Sequence, residues 1–368
     1  MNLNKMLIKD CIRCGANEIQ YFYKGRCRRC IGLKVGKEPE SSYVQVDSVK
    51  LEFELTDEQV VISKDLVRLV QSGKNVYVEA VCGAGKTEMC IELIKESLNA
   101  GLKIGWAIPR REVVLELHNR LESVFPKLKL VKVCQDYTDD VYGDLIICTT
   151  HQLFRYHQYF DILIIDEPDA FPYHNNTMLQ HMAHVAAREN IVYLSATYEC
   201  GDDFEVLSLS SRPSKRPLPL PKIVNIFKVM ELLRKWKDEA VLIFVPTKKI
   251  AMTVSKILMC PFITSSSSNK KEILENFRKE NGFLVCTTIL ERGVTFKDCF
   301  VIVLYADHKV FNKASLVQIA GRVERGLNPK KGEVIFWGNG IEVQKAMDYI
   351  NHHRNIVLSA SNRKTLEY

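Results

Sequence analysis

Residues 80–87 read AVCGAGKT and lie between the apolar run 75–80 and a helical pattern. A strand, a glycine-rich loop and a helix in that order form a phosphate-binding loop, in which backbone N–H groups converge on phosphate oxygens at the positive end of the helix. Lys86 is then placed to reach the β- and γ-phosphates, and the Thr87 hydroxyl to coordinate Mg²⁺. The strict pattern has glycine at Ala80. An ordinary glycine turn is the alternative, but such a turn does not need Lys-Thr directly after it.

A second nucleotide-site motif follows, because the apolar run 162–165 ends in the carboxylate pair Asp166 and Glu167. Asp166 is predicted to hold Mg²⁺ through water, and Glu167 to orient and deprotonate the attacking water. A carboxylate pair after any strand is weakly informative, and Asp166 as a helix N-cap is the alternative. Downstream of a phosphate-binding loop, the pair predicts ATP hydrolysis.

Apolar runs alternate with helical patterns along most of the chain, which is typical of βαβ units and parallel sheets. In the first half we predict strands at 75–80, 103–108, 129–134, 144–148, 161–165 and 191–194, and helices at 58–71, 86–99, 111–124 and 176–187. In the second half we predict strands at 241–245, 262–264, 283–287, 299–304 and 333–337, and helices at 247–258, 269–280, 313–323 and 341–354. The predicted fold class is therefore α/β.

Composition shifts divide the chain into five predicted segments, with a proline-rich stretch between the two α/β halves. They are a Cys₄ module at 1–37, a polar linker at 38–50, a first domain at 51–210, a proline-rich linker at 211–221 and a second domain at 222–368.

Two CxxC pairs near the N-terminus, Cys11 with Cys14 and Cys27 with Cys30, are separated by twelve residues and predict a tetrahedral zinc site. Four Cys ligands leave no open position for water, so the predicted role of Zn²⁺ is structural. The aromatic residues 21–23 and the basic residues around them form either a nucleic-acid-facing surface or the cover of the small module.

Composition excludes a membrane-spanning helix, because no run approaches the roughly 18 apolar residues that such a helix needs. The N-terminus lacks the apolar core of a signal peptide, and the other eight cysteines are scattered singly, so we expect a cytosolic protein with free thiols. The net charge of +7 is uneven: residues 1–37 carry nine Lys or Arg against two acidic residues. Such a segment suits a polyanionic partner, and a solvated face is the alternative.

Further motifs follow in the order known from superfamily 2 helicases, and they lie at 55–59, 109–111, 149–152, 195–197, 244–247, 288–295 and 318–325. The segments 149–153, 166–173, 289–296 and 318–325 resemble those of the ComFA late-competence family, which also carries an N-terminal four-Cys module ahead of two RecA-like domains. The resemblance covers essentially the whole chain.

The resemblance implies an ATPase dependent on single-stranded DNA, which helps to bring transforming DNA into the cytoplasm of naturally competent bacteria. It also implies ATP, Mg²⁺ and Zn²⁺ as cofactors, the competence proteins ComFC and DprA as partners, and peripheral association with the membrane DNA-uptake channel at the inner face of the membrane. These partners rest on the resemblance alone.

The motifs assign roles to individual residues of this sequence. The catalytic residues are predicted to be Lys86, Asp166, Glu167, Gln318, Arg322 and Arg325. The nucleotide is predicted to contact Gln59, Gly83, Ala84, Gly85, Lys86, Thr87, Glu88 and Gly293, with Gln59 reading adenine. The DNA is predicted to contact Arg110, Arg111, Thr149, Thr150, His151, Thr247, Thr287 and Thr288.

Two departures from the helicase pattern bear on turnover. Pro168 stiffens the turn after Glu167, and Glu324 stands between Arg322 and Arg325, where the motif normally has glycine. A carboxylate there is expected to pair with Arg325 or to weaken its effect on the γ-phosphate.

Two alternative functions stay open. One is a strand-separating repair or replication-restart helicase of the primosomal type. The other is a DNA-binding scaffold whose ATPase has decayed, for which Glu324 is the one supporting feature.

Overall fold

The computed structural model describes residues 11–30, 44–51, 53–291, 296, 298–324 and 329–366. Contacts divide these residues into two units. The first holds residues up to Glu79 together with Lys86–Ser208, and the second holds Ala80–Gly85 with the residues from Leu209 onward. Both units are α/β with parallel sheets, so the predicted fold class is confirmed. The five segment boundaries drawn from composition stay predictions.

The first unit begins with a short hairpin and continues as a seven-stranded sheet with helices. Its strands are β1 (Phe22–Tyr23), β2 (Arg26–Cys27), β3 (Asn75–Ala80), β4 (Ile104–Ile108), β5 (Leu130–Val133), β6 (Leu145–Thr149), β7 (Phe160–Asp166), β8 (Ala187–Ser195) and β9 (Phe204–Leu209). Its helices are α1 (Asp57–Gln71), α2 (Lys86–Met89), α3 (Ile91–Asn99), α4 (Arg111–Val124) and α5 (Thr177–Ala186), with 3₁₀ turns at Ile19–Tyr21 and Thr150–Arg155.

The strand order of the large sheet is β5-β6-β4-β7-β8-β3-β9, and the pairs from β5 through β3 are parallel. Every residue of β4 and β6 is buried, which is typical of parallel strands that helices cover on both faces. Because parallel strands end at the same edge, the residues that follow β3, β6, β7 and β8 share one edge of this sheet. The predicted motifs at 80–87, 149–152, 166–173 and 195–197 begin at this edge.

The second unit is a six-stranded sheet of order β10-β15-β14-β11-β13-β12 in which every pair is parallel. Its strands are β10 (Lys222–Ile223), β11 (Ala240–Phe244), β12 (Phe262–Ile263), β13 (Gly282–Cys286), β14 (Cys299–Leu304) and β15 (Val334–Trp337). Its helices are α6 (Ile226–Lys235), α7 (Lys248–Leu258), α8 (Lys270–Glu280), α9 (Lys313–Ala320) and α10 (Ile341–Leu366), with a 3₁₀ turn at Thr288–Leu290.

Four predicted elements differ from the structure in detail. The helix expected at 86–99 is two helices, because the chain leaves the helix at Cys90. The helix expected at 313–323 ends at Ala320, and the helix expected at 341–354 runs to Leu366. The expected strand 191–194 is longer, since β8 begins directly after α5 at Ala187. The elements β9, β10 and α6 were not predicted.

Candidate ATPase site and nucleic-acid contacts

The phosphate-binding loop has the backbone that its glycines predict. After β3, Gly83 has φ 82° and Gly85 has φ 80°, in the left-handed region that glycine enters without a Cβ clash. Within the loop, the Ala84 N–H donates to the Val81 carbonyl at 3.0 Å. Lys86 then opens α2 with Thr87 as its second residue, and both side chains are half-buried.

The carboxylate pair lies where β7 ends. Asp166 is the last residue of the strand and is in register with Leu194 of β8. Glu167 follows with φ 57°, and its N–H donates to the Leu194 carbonyl at 2.8 Å. Burial raises the pKa of the Cys90 thiol, and the charge of nearby Asp166 raises it further, so this thiol stays protonated beside the carboxylate.

A buried hydrogen-bond network at this edge was not among the predicted site residues. Asp169 is 6% exposed, and its two carboxylate oxygens accept from the hydroxyls of Ser195 and Thr197, each at 2.7 Å. Ser195 Oγ in turn accepts from the N–H groups of Thr197 at 3.0 Å and Tyr198 at 3.2 Å. The sequence did carry a signal for this network. An acidic residue stands three positions after Asp166, and a Ser-Ala-Thr segment follows the adjacent strand. The network joins the loop after β7 to the loop after β8.

Two predicted nucleotide contacts of the first unit also have structural partners. Gln59 belongs to a capping box on α1: its side-chain oxygen accepts from the Thr56 N–H at 2.8 Å, and its own N–H donates to Thr56 Oγ1 at 3.3 Å. Glu88 forms an ion pair with Arg120 of α4. The capping box holds the Gln59 amide in one orientation, and adenine reading stays a prediction.

The second unit buries part of the motif at 318–325. Gln318 lies on α9 and is buried, and Arg322 is 3% exposed, with Nε donating to the Glu291 carbonyl at 3.3 Å. Arg212, from the segment predicted to be a linker, is equally buried and donates through Nη2 to the carbonyls of Gly321 at 3.2 Å and Val323 at 3.0 Å. Arg212 therefore holds the backbone of this motif in place, a role that its proline-rich surroundings did not indicate.

Glu324 has a left-handed backbone conformation, which favours glycine. Its φ is 55°, and its Oε1 accepts from the Gly332 N–H at 3.2 Å. The carboxylate is thus engaged with the chain of its own unit. Arg325 and Gly293, both predicted site residues, lie outside the described residues.

The predicted DNA contacts of the first unit differ in exposure. Arg110 is half-buried ahead of α4. Arg111 donates through Nε to the Gln135 carbonyl at 3.1 Å and pairs with Asp136. Thr149 and Thr150 are buried at the end of β6, whereas His151 is exposed. Among these predicted DNA contacts, His151 therefore has the side chain most accessible to DNA.

In the second unit, Thr247 is the N-cap of α7, and its hydroxyl accepts from the Ile250 N–H at 3.2 Å. Thr287 and Thr288 are half-buried at the end of β13. These three residues follow neighbouring parallel strands at one sheet edge, and their DNA contacts stay predictions.

The four N-terminal cysteines lie together as predicted. Their Sγ atoms are all within 4.8 Å of one another, with Cys11 and Cys30 at 3.6 Å and Cys14 and Cys27 at 3.6 Å. A tetrahedral ion with Zn–S bonds of about 2.3 Å requires S···S distances of about 3.8 Å, so the cluster fits Zn²⁺.

Three of these thiols have shifted pKa values that the structure explains, and burial raises the pKa of Cys30 well above its usual value. Burial raises the pKa of Cys14 to about 11. Burial also acts to raise the pKa of Cys11, but backbone hydrogen bonds at Arg13 and Cys14 outweigh it and lower the pKa to about 7. One thiolate ligand is therefore available near neutral pH before a metal binds.

The Cys₄ module packs against helix α5 of its own unit. Cys14, Ala16 and Cys30 belong to the same hydrophobic cluster as Leu179 and Met182 of α5. Gly15 has φ +67°, and a Cβ built on it would lie 2.8 Å from Cγ of His181, also on α5. The module is thus a part of the first unit's core.

Among the described residues, no helix is long and apolar enough to span a membrane.

Two parallel-sheet units, a phosphate-binding loop and a carboxylate pair define an ATPase of the DEAD/DEAH-box helicase class. The family described as DEAD/DEAH box helicase matches residues 61–203, and the helicase conserved C-terminal domain matches 224–326. The fold is similar to that of the DEAD-box helicase Mss116 bound to ssRNA and UDP-BeF, with a TM-score of 0.62 and 19% identity over 77% of this chain and 70% of that one.

Full-length relatives narrow this class to one family. The competence protein ComFA of Streptococcus pneumoniae is 32% identical over 92% of this chain and 89% of its own length. ComFA of Bacillus subtilis is 32% identical over 92% of this chain and 84% of its own length. This chain belongs to the ComFA family of competence proteins.

Proposed function

We propose that this ATPase is a translocase on single-stranded DNA, which uses ATP to draw transforming DNA into the cell. The observation that carries the proposal is one edge of the first sheet, because β6 ends at Thr149 and β7 ends at Asp166, and both strands pair in parallel with β4. The predicted hydrolytic residue and the predicted DNA-contact segment therefore share an edge. This arrangement supports coupling between ATP hydrolysis and DNA contact, because the strands that carry the two sets of residues both pair with β4.

The residues at this edge fit ATP with Mg²⁺. Gly83 and Gly85 have the left-handed φ values that turn successive N–H groups toward a phosphate. When bound, Mg²⁺ neutralises charge on the β- and γ-phosphates. The Lys86 ammonium would hold the same phosphates, Thr87 and Asp166 would hold the ion, and Glu167 would take the proton from the attacking water.

Charge on the γ-phosphate grows in the transition state, and arginines are the usual residues that stabilise it. In the second unit we propose Arg322 and Arg325 for this role, with Gln318 beside them. Release of phosphate removes the charge that the arginines bind, which gives each ATP cycle two states of different DNA affinity.

For the N-terminal module we propose structural Zn²⁺ held by the four Cys thiolates, on the grounds of the donor set and its spacing. ComFC, DprA and the membrane uptake channel remain proposed partners, supported by membership of the competence family. A cytoplasmic location at the inner face of the membrane is proposed with them.

The test is Mg²⁺-ATP hydrolysis by the full chain without DNA, with single-stranded DNA and with blunt duplex. The proposal expects strong stimulation by the single strand alone, together with displacement of a bound streptavidin block as the protein moves. Equal turnover in all three conditions contradicts it and favours the scaffold alternative. Efficient separation of a forked duplex would instead favour the repair or restart helicase.

A further inference from the structure

The Cys₄ module carries a small exposed hairpin. Strands β1 and β2 are antiparallel, with Phe22 opposite Cys27 and Tyr23 opposite Arg26. They are joined by Lys24 and Gly25, both at positive φ. Cys27 ends β2 and belongs to the four-Cys cluster, so this cluster lies at the base of the hairpin.

The tip exposes an aromatic ring among cations. Tyr23 is 61% exposed, and Lys24 Nζ lies 5.5 Å from its ring centroid. Tyr23, Lys24, Arg26 and Arg28 line a surface concavity of about 550 Å³. Across the described residues 11–30 there are five Lys or Arg and a single acidic residue, Glu18.

Two of these cations have no carboxylate partner among the described residues. Within the part of the chain that the structure describes, neither Arg26 nor Arg28 forms an ion pair with a carboxylate. If the aromatic residues served only to cover the module, Tyr23 would be expected to be buried. Tyr21 and Phe22 are half-buried and meet that expectation, whereas Tyr23 does not.

The module also lies beside the predicted DNA-contact segment of its own unit. Ile12 and Arg13 line a cavity of about 360 Å³ together with Leu153, Phe154 and residues of α5. Leu153 and Phe154 belong to the 3₁₀ turn Thr150–Arg155, which starts directly after Thr149. The module and the 3₁₀ turn that contains His151 therefore line the same cavity, so DNA bound at His151 would pass close to the module.

We propose that the β1–β2 hairpin is a second contact for single-stranded DNA, outside the two sheets, in which Tyr23 stacks on a base and Lys24, Arg26 and Arg28 bind the flanking phosphates. An aromatic ring set among cations is the combination that binds single strands, whose bases are free to stack, whereas duplex bases are not. This inference rests on the proposed function and adds a site to it.

Anisotropy of a fluorescein-labelled oligothymidylate, titrated with the full chain at several salt concentrations, tests the proposal. Tyr23→Ala is expected to weaken binding about 5- to 160-fold, because stacking on one base is worth about 1–3 kcal/mol. Tyr23→Phe keeps the ring and is expected to retain the affinity. Arg26→Ala with Arg28→Ala is expected to lower the slope of log Kd against log salt by about 1.4, since each phosphate contact contributes about 0.7.

Arg68→Ala is the matched control, because Arg68 is an exposed arginine of the same unit, on α1, and is not among the predicted site residues. It is expected to leave both the affinity and the salt slope unchanged. Zinc content measured for each variant shows that the module is intact, since neither Tyr23 nor Arg26 is a predicted ligand. A photocrosslink from 5-iododeoxyuridine to the wild-type chain, mapped by mass spectrometry, gives a readout that needs no variant, and Tyr23 is the expected site.

The outcomes distinguish failure of the hairpin proposal from failure of the proposed translocase function. If the wild-type chain binds single strands and they stimulate its ATPase, but Tyr23→Ala binds as tightly and no crosslink falls within 11–30, the hairpin proposal is overturned and the translocase proposal stands. If the wild-type chain does not bind single strands at all, the proposed function fails with it. Loss of affinity for anionic vesicles or a protein, with unchanged affinity for DNA, also overturns the hairpin proposal.

Discussion

The Asp169 carboxylate accepts a hydrogen bond from the Ser195 hydroxyl at 2.7 Å, and this bond joins the loop after β7 to the loop after β8. Its second oxygen accepts from Thr197. Because Ser195 Oγ already accepts from two backbone N–H groups, its proton has Asp169 as its acceptor. Hydrogen bonds therefore link the side chains of Asp169, Ser195 and Thr197, and Asp169 lies close in sequence to the predicted hydrolytic carboxylates.

Asp169→Ala is expected to leave the buried Ser195 hydroxyl and the half-buried Thr197 hydroxyl without their acceptor, and to lower the free energy of unfolding by about 1–3 kcal/mol. We also expect the stimulation of ATPase by single-stranded DNA to fall by more than the DNA-free rate, because the two loops lose their connection. Urea unfolding and ATPase assays measure the two effects. Asp202→Ala, at an exposed carboxylate of the same unit, should be close to wild type. Equal behaviour of the two variants would contradict the prediction.

Lys86→Ala is expected to reduce ATP turnover by about 10²-fold or more, because a positive charge that stabilises the transferred phosphate is lost. Affinity for single-stranded DNA measured without nucleotide should change little. Lys64→Ala, at an exposed lysine on α1, serves as the control and should keep full activity. Normal turnover in Lys86→Ala would remove the phosphate-binding loop from the mechanism.

Substitutions at Glu324 separate its backbone strain from its hydrogen bond. Glu324→Ala loses the bond to Gly332 and keeps the left-handed φ, whereas Glu324→Gly loses the bond and relieves the strain. We expect the glycine variant to be more stable than the alanine variant by about 1 kcal/mol in chemical unfolding. If the carboxylate has a structural role and does not restrain Arg325, the ATPase rate of Glu324→Gly stays within about twofold of wild type, a difference of about 0.4 kcal/mol. A large rise in that rate would show that Glu324 inhibits turnover.

Gly15→Ala and Gly25→Ala form a matched pair for the docking of the Cys₄ module. Both glycines have positive φ, but a Cβ at position 15 would meet His181 at 2.8 Å, whereas a Cβ at position 25 has nothing within 4 Å. The strain is common to both, so the extra loss of stability in Gly15→Ala, expected at about 1–3 kcal/mol, reports the contact with α5. Adding His181→Ala to Gly15→Ala should recover part of that loss. No difference between the two glycine variants would show that the module does not pack there in solution.

Cys14→Ser is expected to lower zinc content and to destabilise the whole first unit, because Cys14 belongs to a hydrophobic cluster that includes strands and helix α5 of that unit. Atomic absorption and thermal unfolding measure the two effects, and a strong chelator should reproduce them in the wild-type chain. Cys260→Ser, at a half-buried thiol of the second unit, is the control. Full zinc occupancy in Cys14→Ser would refute the four-Cys site.

The sequence predicted the central strands and the motif loops because both leave local signals. Buried parallel strands such as β4 and β7 are continuous apolar runs, and the glycines at 83 and 85 mark a loop that no other residues would form as readily. The short edge strand β10 has two residues and no such signal. Helix α6 does have a local signal, since Asn225 caps an amphipathic stretch. The prolines just before it led to the prediction of a linker instead.

Tertiary contacts account for the rest of what the sequence did not show. The bond between Asp169 and Ser195 spans strands that are adjacent only in the sheet, and no local pattern reports it. Arg212 lies in a stretch that reads as a linker by composition, yet it is buried because two backbone carbonyls of another segment accept its hydrogen bonds. The αL backbone of Glu324 is visible only once the turn is built.

The shared core of the Cys₄ module and α5 sets a limit on how this protein can be shortened. A fragment that starts after residue 37, to yield a minimal motor, would strip the cover from Leu153, Met182 and the neighbouring apolar side chains. Such a fragment would expose a new apolar surface and would be prone to aggregate. The four-Cys residues should therefore be kept with the first unit in any expression or domain-transplant design.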